Sequence, residues 1–397
     1  MDFLIALALA TTTLAVPGRT NANVSVASDG AAVDVVWAAS APSGATDIYS
    51  AASTDGGRTF AAPVRVNDVD GDARVTGEQP PHVALATRSG KPPSVIVVWT
   101  TKGTSGTKLL QARSDDGGLT FGHSTVVPGA DAAGNRGWES LTVGSGGAVD
   151  AVWLDHREMT GHESHMSPEQ SKLYFASLDG SAAPRALTGG VCYCCKTAVA
   201  AGPDGSIYTA WRHVYPGNVR DIAFTTSHDG GRSFASPIRV SEDHWILDGC
   251  PDDGPAIAVD RQNRVHVVWP TLVHRSGATS KDGDPTIALF YAMSTDGRQF
   301  TPRQQLPTDG LPHHPQIAIG ADGALAFAWD ELKDAARHAV VASATVDARG
   351  KAAFRSRMVV KGTPAIYPVI ASVPDGVLVA WTSGTPAASV ISIERVP

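Results

Sequence analysis

The sequence predicts an all-β protein, a β-propeller of seven four-stranded antiparallel blades. Three observations carry this prediction: a motif that ends in tryptophan, a spacing of 52 to 62 residues between its copies, and a composition suited to short strands. Repeats of this length are typical of architectures in which each copy is one supersecondary unit that packs on its neighbours.

Each copy of the motif consists of a short apolar strand, a turn and a second strand that ends in Trp. The strands alternate with a period of two and are rich in Val and Ile, which indicates half-buried β-strands. Asp-Gly pairs in several turns suit tight hairpins, because Gly accepts positive φ. The seven tryptophans are Trp37, Trp99, Trp153, Trp211, Trp269, Trp329 and Trp381.

A third and a fourth strand follow the motif in the first six copies. The seventh copy stops after its third strand, Ser389 to Ile393. We therefore expect the N-terminal segment near Leu14 to supply the missing fourth strand. This closes the ring and removes unpaired sheet edges.

The composition supports the same class and excludes some partners. Of 397 residues, 40 are Gly and 26 are Pro, and only 18% are charged, which favours strands and turns over long helices. The net charge of −7 and the absence of basic runs exclude nucleic acid as an expected partner. We expect a monomer without a transmembrane segment.

The apolar segment from Phe3 to Val16 is too short to span a bilayer. It resembles the apolar region of a signal peptide, with Thr20-Asn21-Ala22 as the cleavage site. This interpretation divides the chain into a signal peptide (1–22) and one propeller domain (23–397), located in the periplasm or secreted. An apolar first strand is the alternative, since no Lys or Arg precedes Phe3.

A second motif recurs between the third and fourth strands. Ser53-Thr54-Asp55-Gly56-Gly57-Arg58-Thr59-Phe60 has two further full copies and one shortened copy, and it resembles the Asp box, or BNR repeat, of the sialidase (neuraminidase)-like superfamily. We interpret its turn-forming Ser, Asp and Gly and its buried aromatic ring as structural. The residues are Ser53, Asp55, Gly57, Phe60, Ser114, Asp116, Gly118, Phe121, Ser227, Asp229, Gly231, Phe234, Ser294, Asp296 and Phe300.

This resemblance implies a propeller whose Asp boxes lie away from the active site, and it keeps a six-bladed sialidase ring open as the alternative fold. It also implies a glycosidase with an arginine cluster, a Tyr–Glu pair and an Asp. The F/Y-R-I-P motif of sialidases does not occur here, so we expect negligible sialidase activity. Residues of suitable type in loops of the predicted mouth are Arg157, Arg212, Glu139 and Tyr367.

Cysteine and histidine side chains collect in loops at one predicted face. Cys192, Cys194, Cys195 and Cys250 all precede a first strand, as do His313, His314 and His82; the loops after Trp contribute His156, His162, His165, His213 and His274. Thiolates and imidazoles converging on one pocket favour copper or zinc. Met159 and Met166 favour copper, whereas four cysteines in an exported protein also fit two disulfides.

Three functions therefore stay open. The first is an exported propeller with a Cys/His metal site at the channel mouth. The second is an exo-glycosidase of the sialidase type. The third is a non-catalytic propeller that binds a glycan or a protein. In each, the ligand at the mouth is a small molecule, a glycan or a metal.

Overall fold

The structure is a computed structural model that describes residues 11–144, 146–159, 167–274 and 285–397. It contains seven four-stranded antiparallel sheets that form a seven-bladed β-propeller. The predicted fold class is confirmed, and the six-bladed alternative is wrong. The described residues include one 3₁₀ turn, Pro168–Gln170. No helix in this part of the chain has the length and apolar character needed to cross a bilayer.

Blades one to six each use four consecutive strands, and blade seven takes its fourth strand from the N-terminus. The strands of blades seven, one, two and three are β1 (Thr12–Leu14), β2 (Thr20–Asp29), β3 (Ala32–Ser40), β4 (Thr46–Ser53), β5 (Val64–Arg65), β6 (His82–Ala86), β7 (Ser94–Gly103), β8 (Gly106–Ser114), β9 (Thr125–Val126), β10 (Arg136–Val143), β11 (Val149–Asp155), β12 (Lys172–Ser177) and β13 (Arg185–Thr188). Those of blades four to seven are β14 (Ala198–Ala201), β15 (Ile207–Arg212), β16 (Ile222–Ser227), β17 (Ile238–Arg239), β18 (Ala256–Val259), β19 (Val265–His274), β20 (Pro285–Ser294), β21 (Gln304–Gln305), β22 (Leu311–Ile319), β23 (Leu325–Lys333), β24 (Ala336–Val346), β25 (Ala352–Val359), β26 (Ala365–Val373), β27 (Gly376–Thr385) and β28 (Ala388–Val396).

The repeated tryptophans form the core between blades. All seven are fully buried, and each packs on the preceding blade: Trp37 of blade one contacts the cluster around Leu378 and Ile393 of blade seven. The prediction that Trp ends the second strand is wrong, because each second strand continues past it. In blade five β19 reaches His274, which we had placed in a loop.

The four repeated turns between third and fourth strands share one hydrogen-bond pattern. In the first, Ser53 Oγ accepts the Gly57 N–H at 2.9 Å, and Asp55 Oδ1 accepts the N–H groups of Arg58 and Thr59. Gly57 has φ +77°, and a Cβ there would lie 2.1 Å from Leu378 Cδ1 of blade seven. The turn thus needs Gly both for its backbone and for contact with the preceding blade.

The ring closes as predicted. Strand β1 pairs with β28, with Thr12 opposite Ile393, and Leu14 is buried. The expected cleavage site at Thr20–Ala22 lies inside β2, so cleavage there would remove the closing strand. The described propeller begins before residue 23, and most of the apolar core of the predicted signal segment (1–10) lies outside the described residues.

Candidate functional site

Four innermost strands carry the same backbone irregularity at the channel mouth. The register of β2, β10, β22 and β26 shifts by a bulge, and the bulged residue has positive φ: Asn23 (59°), Trp138 (53°), His314 (54°) and Tyr367 (52°). Positive φ is uncommon in residues other than Gly, and bulges beside active sites re-aim side chains. The bulges place Asn23, His314 and Tyr367 on the wall of the channel.

The channel holds a cavity of about 230 Å³ lined by residues from all seven blades. Its titratable lining residues are Glu78, His82, Glu139, Lys196, His314 and Tyr367. Among the described residues that line it there is no arginine. Apolar side chains make up much of the rest of the wall, and acids and bases of both signs share the one space.

His314 lies at the centre of a buried charge network. Its Nδ1 is 3.0 Å from Asp330 Oδ1, its Nε2 is 2.9 Å from Glu78 Oε1, and its backbone N–H donates to Asp253. Burial opposes the charge, but hydrogen bonds to Asp330 and Glu78 raise the pKa of His314 to about 10. His314 is thus an imidazolium that donates from both nitrogens, and Arg337 balances Asp330 from the other side at 2.9 Å.

Tyr367 completes this network from blade seven. Its hydroxyl donates to Glu78 Oε1 at 3.2 Å, its backbone N–H donates to Asp330 Oδ2 at 3.0 Å, and its ring lies 4.2 Å from that of His314. Burial and the neighbouring Glu78 charge raise the pKa of Tyr367, so it is a neutral donor. His314 and Tyr367 thus both donate to the same oxygen of Glu78, Oε1.

Glu139 differs from Glu78 in its surroundings. It lies in β10 next to the bulged Trp138 and is 2% exposed, yet it lines the same cavity. One oxygen is 3.5 Å from Thr100 Oγ1, and the other has no partner within the described residues. Burial raises the pKa of Glu139 to about 7. The cavity therefore holds one hydrogen-bonded carboxylate and one carboxyl group that carries a proton near neutral pH.

Asp253 links this network to the loop before β14. Lys196 Nζ lies 3.7 Å from Asp253 Oδ1, and His313 Nδ1 lies 3.8 Å from Oδ2. Burial opposes ionisation, but the positive charges of Lys196 and His314 lower the pKa of Asp253. Lys196 also donates to the Pro315 carbonyl at 2.8 Å, so its ammonium group is held at the cavity wall.

The four cysteines are neighbours, but none of them lines the cavity at the channel mouth, where the topology predicts them. Cys194 and Cys250 form a disulfide across blades four and five, with Cα atoms 6.3 Å apart. Cys192 and Cys195 are buried free thiols whose sulfurs are 2.7 Å apart, and Cys192 Sγ is 3.8 Å from Cys194 Sγ. The Arg220 guanidinium donates to Cys192 Sγ at 3.3 Å. Trp138 and Val214 pack against the cluster.

The two arginine candidates lie in structural contacts. Arg157 pairs with Asp155 at 2.7 Å and stacks on Tyr174. Arg212 is buried and donates to three backbone carbonyls, those of Asp253, Arg220 and Pro270. Neither lines the cavity, whereas Glu139 and Tyr367 do.

The weaker histidine candidates line the cavity or pack on aromatic rings. His82 lines the cavity, the His156 ring packs on Trp138, and that of His213 packs on Tyr215. Burial lowers the pKa of each of the three to about 4. Among the described residues, none of the three shares a potential metal-ligand cluster. His162, His165 and Met166 lie outside the described residues.

Glu78, Asp253, Asp330 and Lys196 are not among the residues that the sequence predicts for the site. All lie before a first strand or directly after a second-strand Trp, the positions at which the sequence predicts the Cys and His ligands. A charged residue at either position is the signal that identifies them.

Comparison with models of known protein families finds no match, and comparison with curated proteins also finds none. Solved structures do resemble the chain. An ulvan lyase from a new polysaccharide lyase family has a TM-score of 0.58 and 9% identity, over 96% of this chain and 94% of that one. A structure of an ulvan lyase bound to -[GlcA(1-4)Rha3S]- has a TM-score of 0.57 and 10% identity, over 96% of this chain and 91% of that one.

An α-L-arabinofuranosidase of Fusarium graminearum in complex with arabinobiose has a TM-score of 0.51 and 13% identity, over 95% of this chain and 93% of that one. At identities this low, the structural similarity shows a shared propeller fold and nothing more. The neighbours with this fold are glycan-processing enzymes.

Proposed function

We propose that this protein cleaves glycosidic bonds at the channel mouth, with Glu139 as general acid and Glu78 as its anionic partner. One observation carries the proposal: a single cavity holds two glutamates in opposite surroundings. Glycoside hydrolases use such a pair, in which one carboxyl group is protonated and the other is ionised. The glycan-processing activity of the structural neighbours agrees with this proposal.

Glu139 is suited to donate a proton to the leaving-group oxygen. Its pKa of about 7 keeps it protonated in a large fraction of molecules at neutral pH, and its proton is then available to a departing sugar. Because the side chain is buried yet faces the cavity, the proton is exposed to substrate more than to bulk water.

Glu78 is suited to stabilise the positive charge that develops on the sugar, or to accept a proton from an attacking group. The His314 imidazolium and the Tyr367 hydroxyl both donate to Oε1, which fixes the Glu78 side chain at the cavity wall. Tyr367 lies within reach of the same proton acceptor, so a tyrosine nucleophile, known in sialidases, is the variant of this mechanism that the geometry permits.

We infer a neutral sugar substrate. A carboxylate sugar is recognised well by bidentate arginines, and no arginine is found among the described cavity residues. Release of sialic acid from a fluorogenic sialoside should therefore be negligible. Robust turnover that is lost in Arg212→Ala would overturn this inference.

The roles of the two glutamates can be distinguished by comparing substrates whose leaving groups do or do not need a proton. Glu139→Gln should cleave a dinitrophenyl glycoside of a neutral sugar near the wild-type rate, because this leaving group needs no proton, but lose about 100-fold or more on unactivated glycans. Glu78→Gln should lose activity on both. A neutral aryl-glycoside and oligosaccharide panel that wild type does not cleave would refute the proposal, as would equal losses on both substrates in Glu139→Gln.

We further propose that the chain is an exported Asp-box propeller. The shared hydrogen-bond pattern of the repeated turns supports the Asp-box assignment, and the Cys194–Cys250 disulfide fits an oxidising compartment. Fractionation of cells that express the full chain, followed by N-terminal sequencing, tests export.

A further inference from the structure

We propose that Cys192, Cys194, Cys195 and Cys250 form a redox-controlled thiolate site for a zinc or copper(I) ion. With the Cys194–Cys250 disulfide closed, two thiols remain. When the disulfide is reduced, the Cys194 thiolate is free to join those of Cys192 and Cys195 around one ion, with the Cys250 thiolate next to Cys194 as the fourth ligand. None of the four cysteines lines the channel cavity, and the site is independent of the proposed cleavage chemistry.

The spacing of the sulfurs supports a shared ion. A tetrahedral site with metal–sulfur bonds of about 2.3 Å separates its sulfurs by about 3.8 Å. Cys192 and Cys194 already have this separation, and the sulfurs of Cys192, Cys194 and Cys195 all lie within 4.8 Å of one another. The Cys192–Cys195 edge, at 2.7 Å, has to widen by about 1 Å. The Cys250 sulfur lies at ligand distance from Cys194 and Asp252 but not from Cys192 and Cys195, so it has to move towards them after reduction to complete the site.

Two buried cations beside the cluster indicate that it carries negative charge. Arg212 and Arg220 are 1% and 4% exposed, and within the described part of the chain neither has a carboxylate at ion-pair distance. Their guanidinium groups donate to backbone carbonyls, to Asn218 and to Cys192 Sγ. A buried charge without a counter-ion is costly, so thiolates are the anions that this arrangement favours.

The charges also balance when an ion is present. Four thiolates and Zn²⁺ carry −2, which the two arginines neutralise; with copper(I) one negative charge remains. Both ions bind well to thiolates. An arginine that donates a hydrogen bond to a ligating thiolate, as Arg220 does to Cys192, stabilises the negative charge of that ligand. His314 is not in this ligand set, because both of its nitrogens donate to carboxylates.

The switch needs one two-electron step. A dithiol reduces the Cys194–Cys250 bond: two electrons and two protons pass to the sulfurs, and the dithiol becomes a disulfide. Metal binding then releases the thiol protons. Cys250 is exposed, so a reductant reaches it from solvent, whereas Cys192 and Cys195 are buried behind it.

The experiment loads the full chain with metal in both redox states. Protein that has been oxidised, or reduced with dithiothreitol and desalted without oxygen, is incubated with Zn²⁺ or copper(I), desalted again and analysed for metal and free thiols. We expect about one ion per reduced chain, little in the oxidised chain, and a higher melting temperature of the reduced protein with metal. The ion that reduced protein retains when both are offered identifies the ligand.

Two variants separate the ligand set from general damage. Cys250→Ser should lower metal affinity at least about tenfold in a chelator competition, because it removes one ligand. His313→Ala, which alters the neighbouring network, should keep full metal content. A reduced wild-type chain with four free thiols and no bound metal overturns the proposal. Loss of metal in His313→Ala would overturn the all-thiolate ligand set.

Discussion

Glu139→Gln tests the proposed acid through protein stability, without any substrate. Burial raises the pKa of this group from 4.5 to about 7. Below pH 4.5 the proton is bound in both the folded and the unfolded chain. Between pH 4.5 and 7 the folded chain binds more protons, so the stability that Glu139 contributes falls as pH rises and is lost above about 7.

The magnitude follows from the shift. Each pKa unit corresponds to about 1.36 kcal/mol, so about 2.5 units give about 3 kcal/mol of stability lost between pH 5 and pH 9. Gln does not titrate. The free energy of unfolding of Glu139→Gln, measured by urea denaturation at both pH values, should therefore fall by about 3 kcal/mol less than that of wild type.

Asp34 provides the matched control. It is also buried, burial raises its pKa to about 7, and it does not line the cavity. Asp34→Asn should show the same reduced pH dependence of stability while glycan cleavage stays unchanged. If wild type and Glu139→Gln lose the same stability between pH 5 and pH 9, Glu139 is not a raised-pKa group and the reasoning for a general acid fails.

Three further outcomes are expected. Tyr367→Phe removes one hydrogen bond to a carboxylate, worth about 1.5–3 kcal/mol of stability, so the melting temperature should fall by a few degrees while kcat falls about 10- to 100-fold; an unchanged kcat would show that Tyr367 does not act on Glu78 during catalysis. Gly57→Ala drives a Cβ into Leu378 and should lower the free energy of unfolding in urea by about 2–4 kcal/mol. Gly30 has positive φ but open space around it, so Gly30→Ala should cost about 1 kcal/mol. Equal costs of the two variants would contradict the contact between blades. Deleting β1 (Thr12–Leu14) removes the closing strand and should lower the melting temperature by several degrees, and an unchanged transition would show that closure contributes nothing.

The ring could be predicted because the sequence motif that specifies a blade is short and recurs along the chain. The Trp motif recurs in every blade, and counting strands showed that one was missing at the end near Ile393 and available near Leu14. The residues at which strands end were harder to predict. Side-chain alternation stops near Trp269, but backbone pairing of β19 and β20 continues to His274 opposite Pro285.

The bulges at the mouth could not be predicted, because they oppose local preferences. His314 and Tyr367 both precede proline, and a following proline favours an extended conformation. Both nevertheless adopt positive φ, held by the hydrogen bonds that their N–H groups donate to Asp253 and Asp330. Local rules fail most often at functional sites, where tertiary contacts decide the backbone.

The pairing of β1 with β28 also sets the order in which the chain can fold. Thr12 is made long before its partner Ile393, so blade seven cannot be completed until the strands of all the other blades have been made. Contacts of such long sequence separation form slowly, because a large loop must close first. Until then β27 and β28 have an open edge that can pair with another chain. The pairing of β1 with β28 therefore covers an edge that would otherwise promote aggregation.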